Sequence, residues 1–352
     1  MIRFTDILST LRLRLAAMLC ATLALAACDS AIYDDEGDCD PHYKVKFKYD
    51  WNLKFADAFP NEVDEVTLYI LDEAGKVVWS RHEAGPAVKA EGYTMDVDIE
   101  PGNYTLLAWG GKGHTSSFAV DGATLGCRML RDHDAAGLAY VDHDLNRLYH
   151  GQLTAQDFPD DEGTYVYTVP MMKNTNDIHV VLQHLSGEPV DKDKFTFTIT
   201  ADNGLMDAAN RLVPDELITY YAWRTAQGAA GIILPEAGQG RRTAAVRDVV
   251  PFSCALADFT VARLVKYQAD GATKNDVRLT VYNDEGEVVF SVPLIDYLLL
   301  FKQLRYDTMD DQEFLDRQDD YNMTFFLDEG DRWMNTYIYI ESWKVMLQDA
   351  EL

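Results

Sequence analysis

Apolar and polar residues alternate with a period of two through several stretches of the chain. From His42 to Asp50, Tyr43, Val45, Phe47 and Tyr49 share one face and Lys44, Lys46 and Lys48 the other. That pattern predicts a strand with one wet side, as antiparallel sheets have. Tyr93, Met95, Val97 and Ile99 repeat it, and Pro101-Gly102 turns the chain into a second strand from Tyr104 to Trp109. Further strands are expected at Tyr165 to Val169, Ile178 to Leu185, Phe195 to Thr200, Phe259 to Leu264, Met323 to Leu327 and Tyr337 to Leu347. Strands separated by turn residues predict an all-β chain of antiparallel β-sandwiches. Short helical insertions are expected where Asp296 would cap a helix through Tyr297, Leu300, Phe301 and Leu304, and from Asp310 to Asp319.

One pattern occurs twice. Val66 to Ser80 aligns without a gap on Val277 to Ser291, with Val66/Val277, Leu68/Leu279, Gly75/Gly286, Val77/Val288, Val78/Val289 and Ser80/Ser291 identical. Trp79/Phe290 keeps an aromatic. Each copy reads as a hairpin whose glycine supplies the positive φ of a short acidic turn. Agreement at core, turn and exit positions implies a duplicated domain. We therefore expect an N-terminal sandwich over residues 42–187 and a C-terminal one over residues 188–352, divided near Ser186-Gly187-Glu188-Pro189. The stretch from Gly110 to Leu148 shows little alternation and reads as an excursion from the first domain.

The N-terminus sets the compartment. Arg3, Arg12 and Arg14 precede an apolar run from Leu15 to Ala27, which is a secretory signal over residues 1–27. The run ends Leu25-Ala26-Ala27-Cys28 and resembles the lipobox of bacterial lipoproteins, so Cys28 is the expected lipidation site. Two or more acyl chains on one cysteine would hold the mature protein to a membrane. Residues 28–41 then form an acidic tether, with Asp34, Asp35, Glu36, Asp38 and Asp40 and no Lys or Arg before Lys44. Acid directly behind a lipidated cysteine is similar to the surface-export signal of Bacteroidota lipoproteins, and the expected location is the outer face of the outer membrane.

Charge and motifs then narrow the chemistry. Lys+Arg number 31 against 58 Asp+Glu, a net charge of -27, and no basic block breaks the acidity, so nucleic-acid binding is excluded. No GxSxG, HExxH, P-loop, GxGxxG or CxxC occurs, and no catalytic residue, cofactor or metal is assigned. Asp132-His133-Asp134 and Asp142-His143-Asp144 have metal-ligating residue types but read as a polar surface excursion. His179 and His184, five apart on one strand, face opposite sides. The acidic groups Asp310-Asp311, Asp319-Asp320 and Asp328-Glu329 with Asp331 read as a solvated face rather than a glycosidase pair. Of the five cysteines, Cys20 leaves with the signal; Cys39 with Cys127 could close a disulfide, and Cys254 reads as a small buried hydrophobe.

Taken in order, several strings carry a resemblance. They are the lipobox cysteine, Tyr33-Asp-Asp-Glu-Gly-Asp-Cys-Asp40, Phe55-Ala-Asp-Ala-Phe-Pro60, Val66-Thr-Leu-Tyr69, Pro101-Gly102-Asn103-Tyr104 with Leu107-Ala108-Trp109, Leu148-Tyr-His-Gly151, Asp202-Asn-Gly-Leu-Met-Asp207, and Leu315 to Phe326. Together they resemble the fimbrillin-associated minor fimbrial anchor family of Bacteroidota. The resemblance implies two transthyretin-like β-sandwiches in a non-enzymatic outer-membrane lipoprotein that fastens a fimbrial shaft to the cell. Its expected partner is a shaft pilin, joined by β-strand addition. Asp29 to Tyr43 contains no Arg or Lys for a trypsin-like processing protease, which suits an anchor that keeps its lipid. Tyr337, Tyr339, Trp343, Val345 and Leu347 alternate near the chain end and are the candidate exchange strand, the other reading being an ordinary final strand. The competing function is a surface glycan-binding lipoprotein of a carbohydrate-uptake system, which needs exposed aromatics such as Trp109, Trp223 and Trp343.

Overall fold

The computed structural model describes residues 40–112, 117–233, 249–268, 271–334, 337–340 and 343–346. The expected signal, Cys28, all of the acidic tether but its last two residues, Cys39 and Leu347 lie outside them. Among the described residues strands dominate, and no helix is long and apolar enough to cross a membrane.

The first predicted strand is His42–Lys48, with Tyr43, Val45 and Phe47 buried and its lysines partly exposed. It belongs to a seven-stranded sheet in the order Val77–Ala84, Glu65–Leu71, Gly102–Lys112, Arg147–Phe158, Thr164–Lys173, His42–Lys48, Met95–Val97. One face of this sheet closes over a core that includes Val45, Phe47, Phe59, Leu68, Ile70 and Met95. The Phe47 and Phe59 rings stack at 5.5 Å, so the short helix Phe59–Glu62 is pinned by its first residue.

Two six-stranded sheets enclose a second, larger core. One runs Arg224–Ile233, Val249–Ala262, Thr175–His184, Asp320–Leu327, Tyr337–Ile340, Trp343–Met346. The other runs Val288–Pro293, Arg278–Asn283, Phe195–Ala201, Ile218–Tyr221, Ala139–Val141, Asp132–His133. Ile178, Val180, Phe259 and Phe325 of the first sheet share this core with Phe197, Ile199, Leu279 and Phe290 of the second. Helices Leu294–Arg305 and Asp311–Arg317 add Leu298, Phe301 and Phe314 to it.

The all-β expectation holds, and the sheets are mixed. Three ladders among the described residues are parallel: His42–Lys48 with Thr164–Lys173, Thr175–His184 with Asp320–Leu327, and Ile218–Tyr221 with Ala139–Val141. Long connections between the paired strands make such pairings possible, and alternation alone does not reveal them.

The expected boundary at 187/188 is corrected. Thr175–His184 pairs with Val249–Ala262 and Asp320–Leu327, and its Ile178, Val180 and Leu182 are in the second core. The chain changes core between Lys173 and Thr175, where buried Asn174 exchanges side-chain hydrogen bonds with Asn210 at 2.7 and 3.1 Å. The excursion after Gly110 also leaves the first core, for Phe118, Cys127, Met129, Val141 and Leu145 pack in the second. A second correction concerns Asp296: the helix begins at Leu294 after Pro293, so Asp296 lies in its first turn and does not cap it. Asp310 does cap the next helix, accepting from the N–H groups of Gln312 and Glu313.

The repeated hairpins match in detail. Gly75 has φ +77° and Gly286 has φ +79°. Asp72 accepts the N–H groups of Ala74 and Lys76 through its side chain, as Asn283 accepts those of Glu285 and Glu287. Both ladders shift register at the same place, after Ile70 and after Val281.

Candidate functional site

Two features are placed to meet a partner: the final hairpin at a sheet edge and a cleft between the two cores. The segment predicted as one strand from Tyr337 to Leu347 folds back on itself. Tyr337–Ile340 pairs antiparallel with Asp320–Leu327, Thr324 opposite Tyr339 and Met323 opposite Ile340. Trp343–Met346 then pairs antiparallel with Tyr337–Ile340, Ile340 opposite Trp343 and Tyr339 opposite Lys344. Folding back fills main-chain hydrogen bonds that the inner strand would otherwise leave open. The single stripe of five apolar residues is therefore corrected. Trp343 and Val345 fall in register with core-facing Met323, Tyr337 and Tyr339 with Thr324 on the opposite face, and Leu347 lies outside the described residues. Among the described residues the outer side of Trp343–Met346 is one edge of its sheet, and Arg224–Ile233 is the other.

The cleft has a volume of about 870 Å³ and is lined from both cores by residues that include Asn52, Glu62, Arg147, Lys173, Asp177 and Arg317. Arg147 binds Asp177 at 2.7 Å and Asp144 at 2.9 Å. Lys173, nearly buried, binds Asp319 at 2.7 Å and lies 3.7 Å from Asp177. Burial raises the Asp177 carboxyl above the usual carboxylate range, opposed by Arg147 and Lys173. Sequence reasoning passed over this site because its members are scattered from residue 49 to residue 320.

The other candidate residues serve the fold. His133 of the Asp132–His133 strand contacts Glu216 at 3.1 Å, and His143 lies 3.8 Å from Asp142. Among the described residues no group of three His, Cys, Asp or Glu side chains gathers as a metal site. His179 meets Asp258 at 2.7 Å on the outer face, whereas His184 is buried and bonds the Asp328 carbonyl at 2.9 Å. Asp311 bridges Lys266 and Lys302 at 2.5 Å each, and those cations, Lys266 foremost, lower its pKa.

Asp134, Asp207 and Asp328 repeat the turn of Asp72 and Asn283. Each accepts the N–H groups two and four residues on, and a residue of positive φ stands three residues on: Gly137, Asn210 and Asp331. Carboxylates that look like chemistry are hairpin turns.

The expected Cys39–Cys127 bridge gains no support. Cys127 is a free thiol with no exposed surface, packed in the second core, and burial pushes its pKa up to about 12. Cys254 is buried, as expected. Of the tryptophans, Trp109 is buried and its indole N–H donates to the Leu125 carbonyl at 3.0 Å. Trp223 is partly buried, and the side chain of Trp343 lies outside the described residues.

A profile of the fimbrillin-A associated anchor proteins Mfa1 and Mfa2 matches residues 35–349. The chain belongs to this family. Similar solved structures agree with the fold of this family member. A candidate adhesin from Bacteroides thetaiotaomicron is 34% identical, with a TM-score of 0.73 over 89% of this chain and 100% of its own. A second structure from the same organism, described as a candidate polysaccharide-binding protein, is 25% identical, with a TM-score of 0.71 over 88% and 99%. The fimbrial anchor protein Mfa2 from Porphyromonas gingivalis shares the fold at 14% identity, with a TM-score of 0.61 over 88% and 99%. No curated protein matches the chain.

Proposed function

We propose that this family member is a non-enzymatic lipoprotein of the outer membrane that fastens fimbriae to the cell surface. The observation that carries the reading is order: the lipobox ending at Cys28 stands directly before the region, residues 35–349, that matches the anchor-protein family. Cleavage before Cys28 and acylation of its thiol and new amino group would hold the N-terminus in the bilayer. The β-sheets would then face outward to a pilin. Joining proceeds by strand addition, in which main-chain hydrogen bonds extend a sheet and alternate side chains fill pockets. The Trp343–Met346 edge is the proposed point of contact, with Tyr337, Tyr339, Trp343, Val345 and Leu347 as the residues that form it or exchange from it.

Replacement of Cys28 by Ala in the native cell tests the reading. Fimbrial protein should move from cells to medium while lipid labelling of the chain is lost. Fimbriae that stay on the cell despite lost lipidation overturn the anchoring role. Alanine at the five terminal positions should reduce fimbria attachment with the lipid retained, and unchanged attachment removes strand addition at this edge.

A further inference from the structure

Stability alone does not call for the parallel ladders. Parallel pairing needs long connections and is slightly less stable per residue than antiparallel pairing. What it changes is the response to a pull. In an antiparallel pair the N-terminal end of one strand lies beside the C-terminal end of its partner, and tension on those two ends opens the ladder one pair at a time. In a parallel pair the same two ends lie at opposite ends of the ladder, and tension loads every pair at once.

Two of the ladders stand in this second relation along one line through the molecule. The chain reaches His42–Lys48 from the Cys28 side, at the N-terminal end of the strand, and the parallel partner Thr164–Lys173 leaves at its C-terminal end for the second core. Seven pairs join them, from His42 opposite Thr164 to Lys48 opposite Pro170. One residue, Asn174, separates that exit from Thr175–His184. This strand is therefore taken up at its N-terminal end, and its parallel partner Asp320–Leu327 leaves at its C-terminal end toward the terminal hairpin. Eight pairs join these two, from Asp177 opposite Asp320 to His184 opposite Leu327. The third parallel ladder, Ile218–Tyr221 with Ala139–Val141, has three pairs and lies off the line.

Position and burial suit the two ladders to tension. His42–Lys48 lies between Thr164–Lys173 and Met95–Val97, and Thr175–His184 between Val249–Ala262 and Asp320–Leu327, so neither can peel from a sheet edge. Tyr43, Val45 and Phe47 are buried, and the Tyr43 ring lies 4.8 Å from Phe158 and 6.0 Å from its in-register partner Tyr165. In the second ladder Ile178, Val180 and Leu182 and their partners Tyr321, Met323 and Phe325 are all buried. Water is kept from these faces, and main-chain groups pulled apart there would find no replacement partner. The joint has no slack. Asn174 is fully buried, its N–H donates to the Leu148 carbonyl at 2.7 Å and its side chain to Asn210 at 2.7 Å, while adjacent Lys173 binds Asp319 at 2.7 Å.

We propose that the two parallel ladders, joined through Asn174, form a load-bearing line that carries tension between the lipid-held N-terminus and the terminal hairpin. The load rests on the anchoring reading, whereas the resistance is a property of the fold.

The mature chain carrying Cys28→Ala is stretched in optical tweezers at one pulling speed in two geometries. In the first the handles sit at the two chain ends. In the second one handle stays at the N-terminus and the other enters the turn at Asp160-Asp161-Glu162, which pulls the first ladder from two ends that lie together. Between the chain ends, the terminal hairpin should peel first and release only residues beyond Leu327. The later steps that release the two cores, recognised by their gain in length, should need about twice the force, or more, of the step that opens the first ladder in the second geometry. Equal forces in the two geometries overturn the proposal, and this comparison leaves every ladder residue unchanged. A variant sharpens it. The His42 N–H donates to the Gly163 carbonyl at 2.8 Å, so by alternation Lys46 also turns its main-chain groups toward Thr164–Lys173. Lys46→Pro removes that N–H and should lower the force that releases the first core while leaving that of the second unchanged. An unchanged force for the first core in a folded Lys46→Pro protein also overturns the proposal. The forces are measured outside the cell, so their failure leaves the anchoring test intact. Fimbriae that stay on Cys28→Ala cells remove the load, and with it the proposal, whatever the forces.

Discussion

Trp79 and Phe290 hold the same place in the two repeated hairpins, yet they sit at different depths. Trp79 is half-buried near the edge of the first sheet, with the Arg81 guanidinium 5.3 Å from its ring. Phe290 is buried, stacked on Phe325 at 4.6 Å and against Trp333 at 5.2 Å. The turns beneath them share one geometry: a side-chain oxygen accepting at the same place, Asp72 in one and Asn283 in the other, a positive-φ glycine three residues on and the same register shift. A hairpin turn is thus set by a few local residues, whereas the burial of its strands is set by what the rest of the chain lays over them. Helix Leu294–Arg305 and the strand Asp320–Leu327 contribute to the core that encloses Phe290, whereas Trp79 packs at the margin of the first core.

The largest break in the comparison should come from deleting the two rings. Phe290→Ala removes a fully packed ring and should cost about 3 to 5 kcal/mol of unfolding free energy. Trp79→Ala removes a half-exposed ring and should cost about 1 to 2 kcal/mol, from partial burial and a surface cation–π contact. Urea midpoints of the two variants decide it, and equal losses would mean that burial depth does not separate the copies. The turns should behave in the opposite way. A Cβ at Gly75 or Gly286 meets no atom within 4 Å, so Gly75→Ala and Gly286→Ala report backbone strain alone. Each should lose about 1 to 2 kcal/mol, and the two losses should agree. A difference well beyond about 0.5 kcal/mol would show that the turns are not energetically equivalent.

The same division explains what could be read from the sequence. Strict alternation in His42–Lys48 and the paired strings around Gly75 and Gly286 carry their structure locally, and both were legible. The choice of sheet was not, because Thr175–His184 alternates equally well whichever neighbour it takes, and its partners lie some 80 and 140 residues further on. The terminal segment misled for a related reason: alternation on both sides of Glu341-Ser342 hides a reversal that register alone exposes. The acidic groups read as a polar surface, and a local signal assigns some of them a more definite part. Asp72, Asp134 and Asn283 each stand three residues before a glycine of positive φ, which marks a turn rather than a reactive carboxylate. The loop at residues 50–58 is legible only through the string Phe55 to Pro60, since the positive φ of Phe55 and its approach to Arg317 exist only in three dimensions.

A smaller effect separates turns built on aspartate from the one built on asparagine. Asn283 shows that a neutral amide oxygen accepts both N–H groups without help from charge. At Asp328 the N–H of Arg332, then that of Gly330, holds the carboxyl below its ordinary value of 3.8. A carboxyl whose pKa is lower in the folded state contributes stability above its unfolded-state value and loses that contribution as pH falls through the folded value. Wild-type protein should therefore lose part of its stability below about pH 4 at this turn, while Asp328→Asn should not. The expected result is two melting curves that lie close together at neutral pH, with the wild type falling relative to the variant between about pH 4 and pH 2. Parallel loss in both proteins would mean that the carboxylate charge adds nothing to what asparagine supplies at Asn283, and the five turns would then be a purely geometric device.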